Sequence, residues 1–482
     1  MMKKYLIIIL LTATYFSCSN DKSITKKQNF VFILVDDLGW TDLGYSGSTF
    51  YESPNIDSLS TQSIQFTNAY ASGSVCSPSR ASIMTGRHPA RVNITDWIPG
   101  NNAKKEKLLG PEDLNELPLN EVTLAETLKN NGYNTFFAGK WHLGSEGYFP
   151  TDQGFDVNIA GGHMGQPPGG YYSPYKNPKL SDGPDGEYLT DRLTNESITF
   201  LDSTSNDPFF LFLTYYTVHT PIQANKKHIE KFNKKAEALG IEAPKQKEER
   251  GGLTTLTQFN PAYASMVYSL DENVGRLIKV LKDKNLYDNT TIIFTSDNGG
   301  LSTLKKEYNF IAPTAVTPLR GGKGWLYEGG IRVPLLIKPA NYNKTNNINN
   351  EPVIGHDFYP TIMSIADINL DENQTIDGRD LTPILKNSSP LKRDELFWHY
   401  PHYHGSAWTP GAAIRKGDWK LISFYETNTL ELYNLSNDVS ETNNLSKEFP
   451  EKVKELNTRL KELQLSMNAN SAIQNPDYIE EK

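Results

Sequence analysis

Four apolar runs along the chain share one design, because each of them ends in a cluster of polar residues. Uninterrupted runs of this length are typical of parallel strands that are buried on both faces. The runs and the polar residues that follow them are 30–35 before Asp36 and Asp37, 135–138 before Lys140 and His142, 209–213 before His219, and 291–294 before Asp297 and Asn298. We therefore expect four central strands with polar ends.

Helical patterns separate these runs and cover residues 124–131, 189–201 and 262–284. Alternation of helix and strand predicts an α/β fold built on a largely parallel sheet that is flanked by helices. Ligands of such sheets bind beyond the carboxyl ends of the strands. The four polar clusters should therefore meet in one site.

The pattern changes after residue 386, where short candidate strands at 395–400, 412–415, 419–423 and 431–433 precede a charged helical pattern at 450–467. Short strands with turn residues between them predict a small antiparallel sheet, here with one helix. We divide the chain into a catalytic domain, 29–386, and a C-terminal subdomain, 387–482. Two polar stretches, 225–256 and 341–350, are expected to be an exposed insertion and an Asn-rich loop.

The N-terminus has the pattern of an export signal, since Lys3 and Lys4 precede an apolar run that is too short to span a bilayer. The run ends at Ser17-Cys18 and resembles a bacterial lipoprotein signal. We expect a signal peptide at 1–17, a lipidated Cys18 and a linker at 18–28. Tyr15 stands where Leu is usual, so cleavage to a soluble periplasmic product is the alternative. Either way, export to the outer membrane or periplasm of a Gram-negative bacterium is expected. In the lipidated form, the lipid anchor would be the sole membrane attachment.

Composition and net charge narrow the classes of function that the chain can have. The 482 residues carry a formal net charge of −8, which gives no indication of nucleic-acid binding. An acidic chain that acts on an anion must concentrate positive charge locally, and Arg80, Lys140 and Lys323 are candidates. Only two cysteines are present, Cys18 and Cys76. If one is lipidated and the other modified, neither is available for a structural disulfide.

Cys76 lies at the start of a predicted helix, in which Ser77 suits the cap, Pro78 the first helical position and Gly86 the end. The N-terminus of a helix favours an anion, and Arg80 adds a planar cation one turn later. A single cysteine is most often a small buried apolar residue. The surrounding residues nevertheless point to chemistry on phosphate or sulfate.

The acidic residues at two strand ends form a candidate metal site. Asp36, Asp37, Asp297 and Asn298 offer oxygen donors, which suit calcium or magnesium, and the absence of a His/Cys ligand cluster argues against zinc. Adjacent aspartates alone are more often solvated turn residues. The pairing with a second strand end makes the metal site the stronger interpretation.

The stretch Cys-x-Pro-x-Arg at 76–80, followed by Thr-Gly-Arg at 85–87, resembles the signature of the type I, formylglycine-dependent sulfatases. The resemblance implies an alkaline phosphatase-like fold with a mixed, mostly parallel sheet. It also implies that a maturation enzyme oxidises Cys76 to Cα-formylglycine. In that family one calcium ion is bound by Asp36, Asp37, Asp297, Asn298 and the modified position 76. Residues 327–334 resemble another family stretch, to which we assign a structural role.

The same resemblance implies roles in sulfate-ester hydrolysis. Calcium and Arg80 would orient the hydrated aldehyde, one hydroxyl of which attacks sulfur. Lys140 and Lys323 would hold the sulfate oxygens. His219 would protonate the leaving alcohol with help from Lys323, and His142 would deprotonate the remaining hydroxyl.

The substrate is expected to be a sulfated polysaccharide or oligosaccharide, of sulfated galactan, ulvan or glycosaminoglycan type, because exported bacterial sulfatases of this kind resemble enzymes that desulfate polysaccharides. Two alternatives remain at this point. One is a phosphonate or phosphate ester hydrolase of the same superfamily, and the other is a non-catalytic glycan-binding lipoprotein with an unconverted Cys76. Candidate sugar contacts are His163, Arg320, His402, His404 and Trp408.

Overall fold

The computed structural model describes residues 26–100, 104–204, 207–386 and 389–479. The predicted signal peptide and Cys18 lie outside the described residues. Across the described ranges, no helix combines the length and the apolar character that crossing a bilayer requires.

The described strands, numbered in chain order, are β1 Asn29–Val35, β2 Ile64–Phe66, β3 Ala69–Tyr70, β4 Leu108–Leu109, β5 Asn134–Gly139, β6 Val157–Ile159, β7 Phe209–Tyr215, β8 Gln246–Glu249, β9 Gly252–Thr255, β10 Thr290–Ser296, β11 Thr303–Lys305, β12 Leu335–Lys338, β13 Asn347–Asn349, β14 Val353–Ile354, β15 Glu395–Tyr400, β16 Gly411–Lys416, β17 Trp419–Phe424, β18 Thr429–Asn434 and β19 Ile473–Gln474. The described α-helices are α1 Pro54–Thr61, α2 Cys76–Thr85, α3 Pro89–Val92, α4 Leu124–Asn130, α5 Leu189–Ser203, α6 Ile229–Ala238, α7 Pro261–Asp283, α8 Glu328–Ile331, α9 Phe358–Ile365, α10 Thr382–Leu385 and α11 Pro450–Ser466.

An eight-stranded sheet forms the centre of the molecule, in the order β13-β2-β12-β10-β1-β7-β5-β6. β10, β1, β7, β5 and β6 run parallel to one another, while β12 is antiparallel to both of its neighbours. The predicted mixed, mostly parallel sheet is therefore confirmed. All four predicted central strands are present, and each lies next to another of them.

Both faces of the sheet are buried, which explains the uninterrupted apolar runs. Along β1, Val31, Ile33 and Val35 belong to the core beneath α5 and α7, whereas Phe30, Phe32 and Leu34 belong to the core beneath α4 and α9. Side chains alternate between the faces of a strand, so burial of both faces requires an apolar residue at every position.

The C-terminal sheet, β15-β16-β17-β18, is antiparallel and carries α11, as predicted. One of its faces packs on α11 through residues such as Leu421 and Leu456. Its other face shares a core with Trp325, Tyr327 and Ile331 of the catalytic domain. The two parts of the chain are thus joined by a continuous apolar core.

One of the two predictions about polar stretches is wrong. The stretch 225–256 was expected to be an exposed insertion, and most of its residues are exposed, but it also contains α6, whose Phe232 is fully buried, and the paired strands β8 and β9. The Asn-rich stretch 341–350 was expected to be a loop, but it contains β13, which pairs with β2 at the edge of the main sheet. Tertiary pairing overrides weak local strand propensity in both places.

Candidate active site

Asp36 and Asp37 begin the site at the carboxyl end of β1. Asp37 has a φ of 59°, in the left-handed region that Asp tolerates better than most residues. This turn ends the side-chain alternation of the strand. The main-chain oxygen of Asp36 accepts a hydrogen bond from Val218 at 2.8 Å, which places His219, the next residue, beside the two carboxylates.

Asp297 and Asn298 approach from β10, whose Ser296 is in register with Val35 of β1. The amide of Asn298 donates to Asp37 at 2.8 Å, and the main-chain N–H of Asp37 donates to Asp297 at 3.2 Å. The carbonyl Oδ1 of Asn298 is buried and has no hydrogen-bond partner. Buried amide oxygens are normally satisfied, so an unpartnered one beside three carboxylates fits a cation ligand.

Three cations surround these carboxylates. Lys140 donates to both oxygens of Asp36, at 2.9 and 2.8 Å, and Lys323 donates to Asp37 at 2.8 Å. Arg80 donates to Asp297 at 2.9 Å. The three positive charges balance the three carboxylates, so a bound divalent cation would make the site positive and able to attract an anion.

Burial raises the pKa of Asp36, an effect that the ammonium of Lys140 only partly offsets. Burial also acts to raise the pKa of Asp37, but the charge of Lys323 and its hydrogen bond bring that pKa below its ordinary value. For His142 and His219, burial and the neighbouring lysines hold both pKa values well below the ordinary range. Both imidazoles are therefore neutral at neutral pH.

Cys76 is the first residue of α2 and is only 2% exposed. Its Sγ lies 3.2 Å from Nδ1 of His142. Nε2 of His142 lies 2.5 Å from the carbonyl oxygen of Ile98, which can only accept, so Nε2 carries the proton. The unprotonated Nδ1 of His142 therefore faces position 76.

The local prediction for α2 is partly wrong. Ser77 does not cap the helix, because its hydroxyl donates to the carbonyl of His142 at 2.9 Å and accepts from Ile98 at 3.1 Å. Helix α2 begins at Cys76, two residues earlier than these positions imply, so Pro78 is its third residue. Gly86 ends the helix with a φ of 68°, as predicted.

Two groups at the site were missed by the sequence analysis. The hydroxyl of Thr214 accepts from Arg80 at 2.7 Å, and the carbonyl of Ile98 fixes the tautomer of His142. Thr214 lies in the polar end of the third apolar run, and that position was the available signal. Nothing in the sequence around Ile98 indicates its contact with His142.

The five candidate sugar contacts differ in position. His163 is exposed and follows Gly162, whose carbonyl accepts from the main chain of His142. His404 packs against Gly324, the residue after Lys323, and burial together with the charge of that lysine lowers the pKa of its imidazole to about 3. His402 is buried, hydrogen-bonds Thr95 at 2.8 Å, and lines a cavity of about 1100 Å³.

Trp408 and Arg320 have structural surroundings instead. Trp408 is 1% exposed and packs in the core beneath the C-terminal sheet, so its prediction as a sugar contact is wrong. Arg320 donates to Glu249 at 2.6 Å and to the hydroxyl of Tyr433 at 2.9 Å, and its guanidinium stacks on Tyr327. These contacts join the catalytic domain to the C-terminal sheet. Because they engage the guanidinium of Arg320, it is not available to bind a substrate.

Comparisons with known proteins agree with this arrangement. A sulfatase from Formosa agariphila is 32% identical, over 93% of this chain and 90% of its own. The solved structure of Ps i-CgsB in complex with k-i-k-neocarrahexaose is 30% identical, with a TM-score of 0.72 and coverage of 95% of both chains. The phosphonate monoester hydrolase of Agrobacterium radiobacter is 17% identical with a TM-score of 0.64, over 93% of this chain and 99% of its own, and shows a shared fold alone.

Two family models match the chain. The model described as N-sulphoglucosamine sulphohydrolase, C-terminal, matches residues 322–468, which include the C-terminal sheet and α11. The model described as Sulfatase matches residues 28–368, which is more than half of the chain and includes every acidic and cationic residue of the site. This protein therefore belongs to the sulfatase family, whose members hydrolyse sulfuric esters.

Proposed function

We propose that this sulfatase hydrolyses sulfate esters of a sulfated oligosaccharide or polysaccharide, with Cα-formylglycine at position 76 and one calcium ion. The observation that carries the proposal is the unpartnered Oδ1 of Asn298 within a balanced set of three carboxylates and three cations. The carbohydrate class is supported by Ps i-CgsB, whose structure holds a carbohydrate, k-i-k-neocarrahexaose. Sulfated galactans, ulvans and glycosaminoglycans are the candidate classes.

The residues that would hold the ion are Asp36, Asp37, Asp297 and Asn298, an all-oxygen set of the kind that calcium prefers. Ligand atoms of Asp36, Asp37 and His219 lie within 4.8 Å of one another. When bound, the ion supplies positive charge that stabilises the developing charge on sulfate oxygens. Arg80, which is 3% exposed and hydrogen-bonded to Thr214 and Asp297, fixes the position of the carboxylates.

Formylglycine at position 76, once hydrated, would supply the hydroxyl that attacks sulfur. The contribution of this chain is to hold that side chain at the N-terminus of α2 and to face it with the unprotonated Nδ1 of His142. This nitrogen can accept a proton from a hydroxyl at position 76. The hydrogen bond to the carbonyl of Ile98 prevents the ring from turning.

Lys323 and His219 occupy the open side of the site. Their side chains are 9% and 14% exposed, whereas Lys140 is completely buried against Asp36. An incoming sulfate group therefore reaches Lys323 before it reaches Lys140. Nδ1 of His219 donates to the carbonyl of Thr220 at 2.8 Å, so Nε2 is unprotonated in the neutral ring. To protonate the leaving alcohol, Nε2 would first take a proton from the neighbouring ammonium of Lys323.

Mass spectrometry of the peptide that spans Cys76 tests the modification, using protein that was coexpressed with a formylglycine-generating enzyme. Cys76→Ala should fold and lose turnover by at least ~10³-fold, since removal of a nucleophile commonly costs this much. Cys18→Ala, which removes the other cysteine, should keep turnover. Full activity of Cys76→Ala would contradict the proposed nucleophile.

Matched panels of sulfate and phosphate esters, built on the same sugars and the same aryl group, test the reaction class. Hydrolysis of the sulfated sugars and little turnover of the phosphate esters is the expected result. Preference for phosphate or phosphonate esters would instead favour the alternative hydrolase. Export and lipidation at Cys18 remain proposals, and labelling of wild-type and Cys18→Ala protein with a radioactive fatty acid tests them.

A further inference from the structure

The segment that follows β11 exposes three large apolar side chains within the four residues 308–311. Tyr308 is 44% exposed, Phe310 52% and Ile311 44%. The rings of Tyr308 and Phe310 lie 5.8 Å apart between centroids, inclined at 55°. Single exposed apolar residues need no explanation, but a contiguous group of them often marks a binding surface.

This group lies close to the active site through a short series of contacts. The main-chain N–H of Lys305 donates to the carbonyl of Gly405 at 3.0 Å. The hydroxyl of Tyr308 lies so near Gly405 that a Cβ there would be 2.7 Å from the oxygen. His404, the preceding residue, packs in the same way on Gly324, where a Cβ would be 2.2 Å from the imidazole.

Gly324 directly follows Lys323, whose ammonium lies 2.8 Å from Asp37. The aromatic pair is therefore connected to the open side of the site by one histidine and two glycines. A substrate longer than one sugar unit extends over the surface beside the site when its sulfate binds at Lys323. The aromatic rings lie on one part of this neighbouring surface.

The charges around the pair leave no cation in excess. Lys305 lies 3.2 Å from Glu106 and 3.9 Å from Glu307, and Lys306 pairs with Glu248. An apolar surface whose lysines are outnumbered by carboxylates offers no recognition of a second sulfate. It suits the C–H face of a sugar ring, which packs on an aromatic face while its hydroxyls remain in water.

The pair is also held in place by the fold. β11 is paired with β9, with Thr303 in register with Thr254, and the main chain of Tyr308 donates to Lys305 at 3.1 Å. The small cavity beside the rings, of about 140 Å³, is lined by residues of β9 and β11 as well as by Phe310. A surface that is already ordered loses little conformational entropy when it binds a ligand.

We propose that Tyr308 and Phe310 form a subsite that binds an uncharged face of the sugar unit next to the sulfated unit of an oligosaccharide substrate. This inference rests on the proposed carbohydrate sulfatase function. The structure thus assigns to this chain a preference for oligomeric over monomeric sulfated sugars.

The test compares wild type with the double variant Tyr308→Ala/Phe310→Ala on sulfated disaccharides and hexasaccharides of carrageenan, ulvan, heparin and chondroitin sulfate. The double variant should lower kcat/KM on the hexasaccharide that is turned over by about tenfold, mainly through KM, because single aromatic contacts typically change affinity a few-fold. The same enzyme's kcat/KM on 4-nitrophenyl sulfate or on the shortest accepted substrate should change less than twofold.

Phe449→Ala is the matched control, because Phe449 is 43% exposed and packs on Trp419 of the C-terminal sheet. Phe310→Trp keeps an aromatic face and should retain the preference for the hexasaccharide. Equal losses on short and long substrates, or no loss on either, would overturn the subsite while leaving the carbohydrate sulfatase function intact. No turnover of any sulfated carbohydrate by the wild type would contradict the function itself.

Discussion

Lys420 of β17 is expected to be a major contributor to the stability of the junction between the two parts of the chain. Its side chain is completely buried, and its ammonium lies 2.9 Å from Glu328 and 2.8 Å from Glu441. Glu328 is the first residue of α8 and also accepts from the hydroxyl of Tyr70 at 2.7 Å. Lys420→Met removes the charge and keeps most of the stem.

The cost of this substitution follows from the burial of both carboxylates. Removing one partner from a buried ion pair typically costs about 3–5 kcal/mol, because a charge remains that is neither solvated nor paired. Unfolding entropy of about 2.1 cal/mol/K per residue gives roughly 1 kcal/mol/K for a chain of this length, so we expect Tm to fall by about 3–5 °C.

The loss should depend on pH. Burial already raises the pKa of Glu441 to about 7 when Lys420 is present. Without the lysine that pKa rises further, and a carboxyl whose pKa is raised by folding loses stability as pH increases from its unfolded value through its folded value. The variant should therefore be destabilised more strongly at pH 8 than at pH 6, where Glu441 takes up a proton.

Differential scanning calorimetry of both proteins at pH 6 and pH 8 measures these shifts. Lys416→Met is the matched control, because Lys416 lies on the neighbouring strand and pairs with Glu455 at 3.2 Å with both side chains largely exposed. Its substitution should change stability by at most about 1 kcal/mol. A Lys420→Met protein whose Tm at pH 8 equals that of Lys416→Met would refute the reasoning.

Three further predictions concern the site and its supports. Asn298→Ala should weaken calcium binding at least ~10-fold and lower activity in parallel, since it removes an oxygen ligand; calorimetric titration that shows unchanged affinity would exclude Asn298 as a ligand. Gly139→Ala should reduce the yield of folded protein, because the added Cβ would lie 1.7 Å from the carbonyl oxygen of Thr214. Gly132→Ala is the control and should keep most of the wild-type yield, because Gly132 also has a positive φ, 79°, but its Cβ would meet no atom within 4 Å. His219→Ala should slow sugar-sulfate hydrolysis ~10²–10⁴-fold and aryl-sulfate hydrolysis much less, because general acid catalysis matters most for poor leaving groups; equal kcat/KM losses on both would place the acid elsewhere.

The main sheet and the meeting of its polar ends could be predicted because the signal is local and repeated. Parallel strands must be apolar at every position when both faces are covered, and their carboxyl ends share one edge. Asp36, Lys140 and Asp297 follow such strands directly, and the structure pairs Lys140 with Asp36 and places Arg80 between Asp36 and Asp297. Their catalytic roles remain predictions.

The remaining features depend on partners that are distant in the sequence. β2, β12 and β13 have three or four residues each, too few for a periodic pattern, and only pairing within the sheet reveals them. Trp408 and Arg320 are residue types that often contact sugars. In the structure, Trp408 is buried in the core beneath the C-terminal sheet, and Arg320 is paired with the carboxylate of Glu249. Burial of that kind is decided by tertiary packing, which no local pattern encodes.

The burial of Cys76 sets an order of events during synthesis of the protein. A side chain that is 2% exposed cannot enter the active site of another enzyme, so the maturase that we propose would have to reach Cys76 before the catalytic domain closes. α8, which directly follows the segment carrying Lys323, is anchored by Lys420 and Glu441, and a ribosome makes both of these after almost all of the catalytic domain. Because these two residues are synthesised late, the segment around Lys323 lacks its contacts with Lys420 and Glu441 while the chain is still growing. Under the proposed conversion of Cys76, the distance along the chain between this cysteine and Lys420 and Glu441 would set the time available for modification.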